Sequence, residues 1–417
     1  MATKRTTKKL PTGKKIRQSN PKDTTLNFAS SKSGFNLVGN SLNDTLIGGK
    51  AANSIVGGNG NNYLVGGAGN DTINGGSGND RIVTGAGANL VNAGNGNNTV
   101  TGGASADTIT AGSGNDSIFG NGGADRINAG AGNDTIVFST AANLAAAATV
   151  IGGTGTNTIS ITGDSQSIAD SQFSKVTQVQ ILNLGNGTNS VTLGAAATAA
   201  GIQSVTGGTG DDTFTQATTT SFTIDGKGGT DSLTLSTAGT VSDYSKLTNI
   251  EKLNLADGAN TVNLATAGAA GIASVDGGSG VDAFTAAATT SFTIDGKGGA
   301  DSLTLSTAGT VSDYSKLTNI EKLNLADGAN TVNLATAGAA GIASVDGGSG
   351  ADAFTAAATT SFAIDGKGGN DSLTLSTAGT VSDFSKLSNI EKLNLADGAN
   401  TVNLATAGAA GIASVDG

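Results

Sequence analysis

The sequence predicts an all-β protein: a parallel β-roll that continues into an irregular parallel β-solenoid of 70-residue repeats, preceded by a disordered basic N-terminal tail. Three observations carry this expectation. An Asp or Asn recurs every nine residues from Asp44 to Asp134 without a slip. A second period, of 70 residues, fills the chain from Asp225 onward. Both prolines, Pro11 and Pro21, lie before either repeat, so the body lacks the residue that interrupts strand ladders.

The tail comes first in the chain. Lys4, Arg5, Lys8, Lys9, Lys14, Lys15, Arg17 and Lys22 all precede the first acid, Asp23, and the remaining 14 basic residues face 32 acidic ones. A basic tail, residues 1–30, is thus attached to an acidic body. It holds no apolar run that would serve as a signal-peptide core, and nowhere do 18 apolar residues follow one another. An exported chain of this kind leaves by another route.

The nine-residue unit spans residues 31–138. Two positions after each Asx stands a large aliphatic, as in Leu64, Ile73, Ile82, Val91, Val100, Ile109, Ile118, Ile127 and Ile136. Glycines precede most of the Asx positions, as in Gly66-Gly67-Ala68-Gly69-Asn70-Asp71. Each unit therefore reads as a glycine turn and a strand of about three residues with one inward aliphatic. One such strand buries almost nothing. Two units make an 18-residue coil with a strand on each side, and stacked coils pair their backbones and build a thin core, which is a parallel β-roll.

The longer repeat follows. Asp225 to Ile294 and Asp295 to Ile364 differ at only three positions, and a third copy runs from Asp365 to Gly417. A diverged copy occupies 139–224, where Ile181-Leu182-Asn183-Leu184 matches Lys252-Leu253-Asn254-Leu255. The domains are therefore 139–224, 225–294, 295–364 and 365–417, and because the array stops mid-unit we expect the chain to be a fragment. Within each copy the turn grammar persists, as in Gly277-Gly278-Ser279-Gly280-Val281-Asp282. Alternating runs such as Ser232-Leu233-Thr234-Leu235 read as strands, and Ser242 to Leu247 reads as one helical turn capped by Ser242 or Asp243.

Composition removes whole classes of chemistry. With no His and no Cys the chain has no imidazole relay, thiol nucleophile, disulfide, or nitrogen or sulfur metal ligand, so any metal is held by oxygen. No G-x-S-x-G elbow or convergent set of unlike groups is readable, and we expect no catalysis within this chain.

The units from Gly57 to Ile136 resemble the G-G-x-G-x-D-x-U-x nonapeptides of RTX (repeats-in-toxin) proteins, also called hemolysin-type calcium-binding repeats. The resemblance implies a β-roll that binds calcium between stacked turns, and export by type I secretion through a C-terminal signal. RTX-class S-layer proteins are similar in combining these repeats with Thr/Ala/Gly-rich strands, and they imply an N-terminal part that anchors to lipopolysaccharide.

Elementary electrostatics points to the same ion. Coils of 18 residues place Asp107 over Asp125 and Asp116 over Asp134. Two carboxylates ~5 Å apart repel by roughly 3 kcal/mol at an effective dielectric of 20. A hard divalent cation neutralises them, and calcium suits the irregular oxygen shell of carboxylates and turn carbonyls. The earlier stacked pairs, which include Asp44, Asp71 and Asp80, each combine one Asp with one Asn. We therefore expect the tightest calcium sites at 107/125 and 116/134, and weaker sites or Asn ladders elsewhere. Asp212, Asp282 and Asp352, and Asp231, Asp301 and Asp371, are isolated copies of the turn, with a solvated Asp capping its own turn as the competing reading.

The functional expectation is a secreted, calcium-binding structural protein of the bacterial cell surface that self-associates into a layer, sheath or filament. The alternatives are an RTX adhesin stalk and the non-catalytic repeat part of a larger secreted RTX enzyme or toxin. An ice-binding solenoid is disfavoured because regular outward Thr ranks are not evident. Lys4, Arg5, Lys8, Lys9, Lys14, Lys15 and Arg17 are the candidate contacts to an acidic surface glycan or lipopolysaccharide. A tail without aromatics on an acidic body argues against nucleic acid.

Overall fold

The computed structural model describes residues 15–17, 22–23, 25–287, 292–357 and 362–417. Lys4, Arg5, Lys8, Lys9 and Lys14 of the tail lie outside them. The chain forms two compact units, one comprising residues up to Phe214 with Phe222–Gly229, the other Thr215–Ser221 with Thr230–Gly417. Every strand pair given a register is parallel, as the repeats predict.

In the first unit the coils stack as two long parallel sheets, and a third begins with Ser167–Ile168 and Ser190–Thr192. One builds from Lys15–Arg17 through Ser54–Asn59 and Thr108–Ser113 to Val176–Thr177, the other from Thr25–Asn27 through Thr99–Thr101 and Thr135–Phe138 to Thr223–Asp225. Pairing thus begins upstream of residue 31, because Ile16 sits opposite Leu37 and Leu26 opposite Leu46. Each aliphatic sits on its counterpart 18 residues along: Ile55 on Ile73, Val91 on Ile109, Ile109 on Ile127. These side chains are 0–1 % exposed. Each such burial contributes about 1.5–3 kcal/mol, and the columns form the core. The turns need glycine: Gly76 has φ +111°, and a Cβ there would overlap the carbonyl oxygen of Gly58.

The nine-residue grammar ends where Ile127 pairs with Val150, a step widened by the helix Ala141–Ala146, which is capped by the Thr140 hydroxyl. A second short helix, Ala195–Ala200, has the Asp170 carboxylate at its N-terminus, accepting from Gly194, Ala196 and Ala197 at 2.8, 3.0 and 2.8 Å.

In the second unit coils vary in length. Ser302 pairs with Lys322, Lys322 with Ser344 and Ser344 with Ala363 in one sheet, while Ser372–Leu375 stands in another sheet beside Ala353–Ala356. Seventy residues are three coils plus one further side, so the same strand moves to a new sheet in each copy: Ser232–Leu235, Ser302–Leu305 and Ser372–Leu375 lie in three different sheets.

The segment Ser242 to Leu247 is not a helical turn. Leu247 N donates to Tyr244 O at 2.9 Å and Ser245 N to Asp243 Oδ1 at 2.9 Å, a tight turn between the strands Thr240–Val241 and Leu247–Thr248. Strand pairing on both sides leaves no room for a helix. Ile250, Leu253 and Leu255 are buried, as their spacing predicts.

Candidate functional site

Every glycine turn of the roll ends on an Asx, and stacking converts that periodicity into two buried columns. Oδ1 of each Asx accepts the backbone N–H of the Asx one coil earlier. Asn98 donates to Asp116 at 2.7 Å, Asp116 to Asp134 at 2.8 Å, Asn89 to Asp107 at 2.8 Å and Asp107 to Asp125 at 2.8 Å. Asp44, Asp71, Asp80, Asp107, Asp116, Asp125 and Asp134 are all 1–2 % exposed. In the mixed pairs an amide supports the carboxylate, as where Asn53 Nδ2 and Asn89 Nδ2 donate to Asp71 and Asp107 at 2.9 Å.

The second carboxylate oxygen divides the sites. At Asp44, Asp107, Asp212, Asp282 and Asp352 it accepts the N–H of the residue four positions earlier: Asn40 (2.6 Å), Gly103 (2.8 Å), Gly208 (3.0 Å), Gly278 (3.2 Å) and Gly348 (3.1 Å). At Asp71, Asp80, Asp116 and Asp134 it is buried and has no hydrogen-bond partner. The cause is the backbone. Gly67, Gly76, Gly112 and Gly130, four positions before the open carboxylates, have φ of +109°, +111°, +114° and +108°. In that conformation their amides stay in the strand ladder, where Gly112 pairs with Gly130, and turn away from the carboxylate. None of the five donors has such a φ.

Burial raises Asp116 to about 6 against the hydrogen bond from Asn98, and the charge of Asp134 adds to the rise. Burial likewise lifts Asp125 to about 6, opposed by the Asp107 N–H and reinforced by the Asp107 charge. Asp71, Asp80 and Asp134 are also raised by burial. A buried carboxylate oxygen without a donor is costly unless a cation or a proton meets it.

These residues fit calcium. The donors are all oxygen, open oxygens face the turns, and the glycine turns bring carbonyls close. Among the described residues no three acidic side chains converge into a cluster. A cation here would take one or two carboxylates, Asp116 and Asp134 foremost, with the rest of its shell from turn carbonyls.

The sequence-predicted residues therefore separate. Asp116 and Asp134 stand together with open oxygens, and Asp71 and Asp80 are open beside amides. Asp107 is stacked on Asp125 as anticipated but saturated, since Thr84 Oγ1 also donates to it at 3.4 Å. Asp212, Asp282 and Asp352 do cap their own turns, yet they are 0–1 % exposed and not solvated. Within the roll the missing signal was the third glycine of the turn: Gly114 and Gly132 precede Asp116 and Asp134 by two positions, whereas Ser105 and Leu42 stand there before Asp107 and Asp44. Asp301 and Asp371 are two further carboxylates with an open buried oxygen.

Four overlapping copies of the family model for the RTX calcium-binding nonapeptide repeat match residues 38–73, 66–100, 74–109 and 101–136. No curated protein matches the chain.

Proposed function

Residues 38–136 make this chain an RTX-repeat protein, a calcium-binding β-roll of structural repeats, and from that premise we propose that it is a subunit of an extracellular bacterial surface layer, sheath or filament folded and stiffened by calcium. The observation that carries the reading is the Asp116–Asp134 pair, buried within the array and open on one oxygen each. A metal-free roll holds these charges at a cost; calcium removes it and couples folding to the calcium of the exterior. RTX repeats are typical of proteins exported by type I secretion. Among the described residues no helix is long and apolar enough to cross a membrane.

Two further features support assembly over catalysis. The RTX solenoid is non-catalytic in itself, and tandem copies differing at three positions supply length and repeated identical surfaces. Lys15 and Arg17, both exposed on their strand, together with Lys4, Arg5, Lys8, Lys9 and Lys14, supply positive charge for an acidic glycan or lipopolysaccharide.

Electron microscopy of the purified chain, first with calcium and then with chelator, tests this. Sheets or filaments that form with calcium and dissolve with chelator support the layer. Monodisperse rods indifferent to calcium would replace it with an adhesin stalk.

A further inference from the structure

The 70-residue copies lie outside the matched repeats, yet they contain the same unresolved charge. In one column of the second unit Asp282, Asp301 and Glu321 follow one another. Asp282 N donates to Asp301 Oδ1 at 2.7 Å, and Asp301 N donates to Glu321 Oε2 at 2.7 Å. Asp282 is saturated by Asn260 N and Nδ2, each at 2.8 Å, and by Gly278 N. Asp301 is different. It is 1 % exposed, and its Oδ2 is buried with no hydrogen-bond partner.

The residue that would cap it is Lys297, held at φ +68°. That conformation is unfavourable for a side-chain-bearing residue, and it turns the Lys297 N–H to Asp295 Oδ1 at 3.0 Å. The Lys297 ammonium is also drawn away, to Asp295 Oδ2 at 2.8 Å and Asp276 Oδ2 at 3.4 Å. The next copy repeats the arrangement. Lys367 has φ +67° and binds Asp365 and Asp346, Asp371 N donates to Glu391 Oε2 at 2.7 Å, and Asp371 Oδ2 is again open. Burial pushes Asp301 up to about 6, with Asp282, Glu321 and Asp295 as repelling neighbours, and raises Asp371 as well.

We infer that the copies beginning at Asp295 and Asp365 each hold a cation site of their own, formed by Asp301 with Glu321 in one and by Asp371 with Glu391 in the next. The donors are carboxylate oxygens at a glycine turn, the set that a hard divalent ion of calcium's size accepts. The cation response of the protein then extends along the tandem array, beyond residues 38–136. This stands apart from the layer reading, which needs only the sites of the roll.

Calorimetric titration of the chelator-treated full chain with calcium chloride at neutral pH tests it. The D301N/D371N double variant is expected to bind two fewer calcium ions than the parent, whereas D282N/D352N, whose carboxylates are already saturated, binds the parental number. If the Asn variant loses its β signal in circular dichroism, E321Q/E391Q decides, because Gln keeps an acceptor for the Asp301 and Asp371 amides while removing the charge. Parental stoichiometry in D301N/D371N, or in E321Q/E391Q where the Asn variant does not fold, overturns the proposal. So does a D301N/D371N variant that alters only the acid melting profile, since the open oxygen then takes a proton. Calcium density at Asp301 Oδ2 in soaked crystals supports the assignment, and its absence overturns it. Failure to form layers leaves these counts unchanged.

Discussion

The backbone N–H of Asp116 donates to Oδ1 of Asp134 at 2.8 Å, and both residues keep Oδ2 buried without a hydrogen bond. No other stacked pair in the roll combines two such oxygens. Replacing both by Asn is therefore expected to abolish the highest-affinity calcium step. Asp107→Asn, which alters a carboxylate already held by Gly103 and Asn89, should leave that step in place. Calorimetry on the two variants checks the contrast; equal losses would show that the open oxygen is not what selects the site.

Metal-free protein should respond to acid in an unusual direction. Asp116 and Asp125 sit near 6 in the fold, above the ordinary carboxylate value. The folded state thus binds protons more tightly than the unfolded one, and stability rises as pH falls from about 6 toward about 4. Chelated samples are expected to melt higher at pH 5 than at pH 7.5, and saturating calcium should remove that difference. A chelated melting temperature that falls on acidification through this window contradicts it.

Asp170 supplies the opposite sign. Burial would raise its carboxyl, but the N–H groups of Ala197, Ala196 and Gly194 outweigh burial and hold it below the usual value. Its stabilisation is present above about pH 4 and lost as pH drops through the depressed folded value. Asp170→Ala should cost about 0.5–2 kcal/mol in urea unfolding at pH 7, the range of a lost helix cap, and much less at pH 2.

Ile109 lies between Val91 and Ile127 with 1 % exposure. Ile109→Ala leaves a gap in a core one side chain wide, and about 2–5 kcal/mol is expected to be lost in urea unfolding of the calcium-loaded protein. A loss under about 1 kcal/mol would mean that the coils close over the gap.

The roll was legible because its information is periodic: the aliphatic two positions after each Asx fixes which side chain enters the core and which residue stacks on it. Less legible was which carboxylates stay open. Gly103 and Gly112 are chemically identical, and the sign of φ depends on whether the strand before the turn continues, as Thr108–Ser113 does and Thr99–Thr101 does not. The tight turn at Tyr244 escaped for a related reason, since Ser-Asp-Tyr-Ser reads as a helix start until strands claim both its ends.

Ser232–Leu235, Ser302–Leu305 and Ser372–Leu375 fall in three different sheets, so each added copy shifts the equivalent strand to a new side of the coil. Excising one 70-residue copy would move the strands downstream of the cut onto a different sheet. Variation in repeat number would therefore act as more than a ruler, because it also changes which side of the coil each repeated surface occupies.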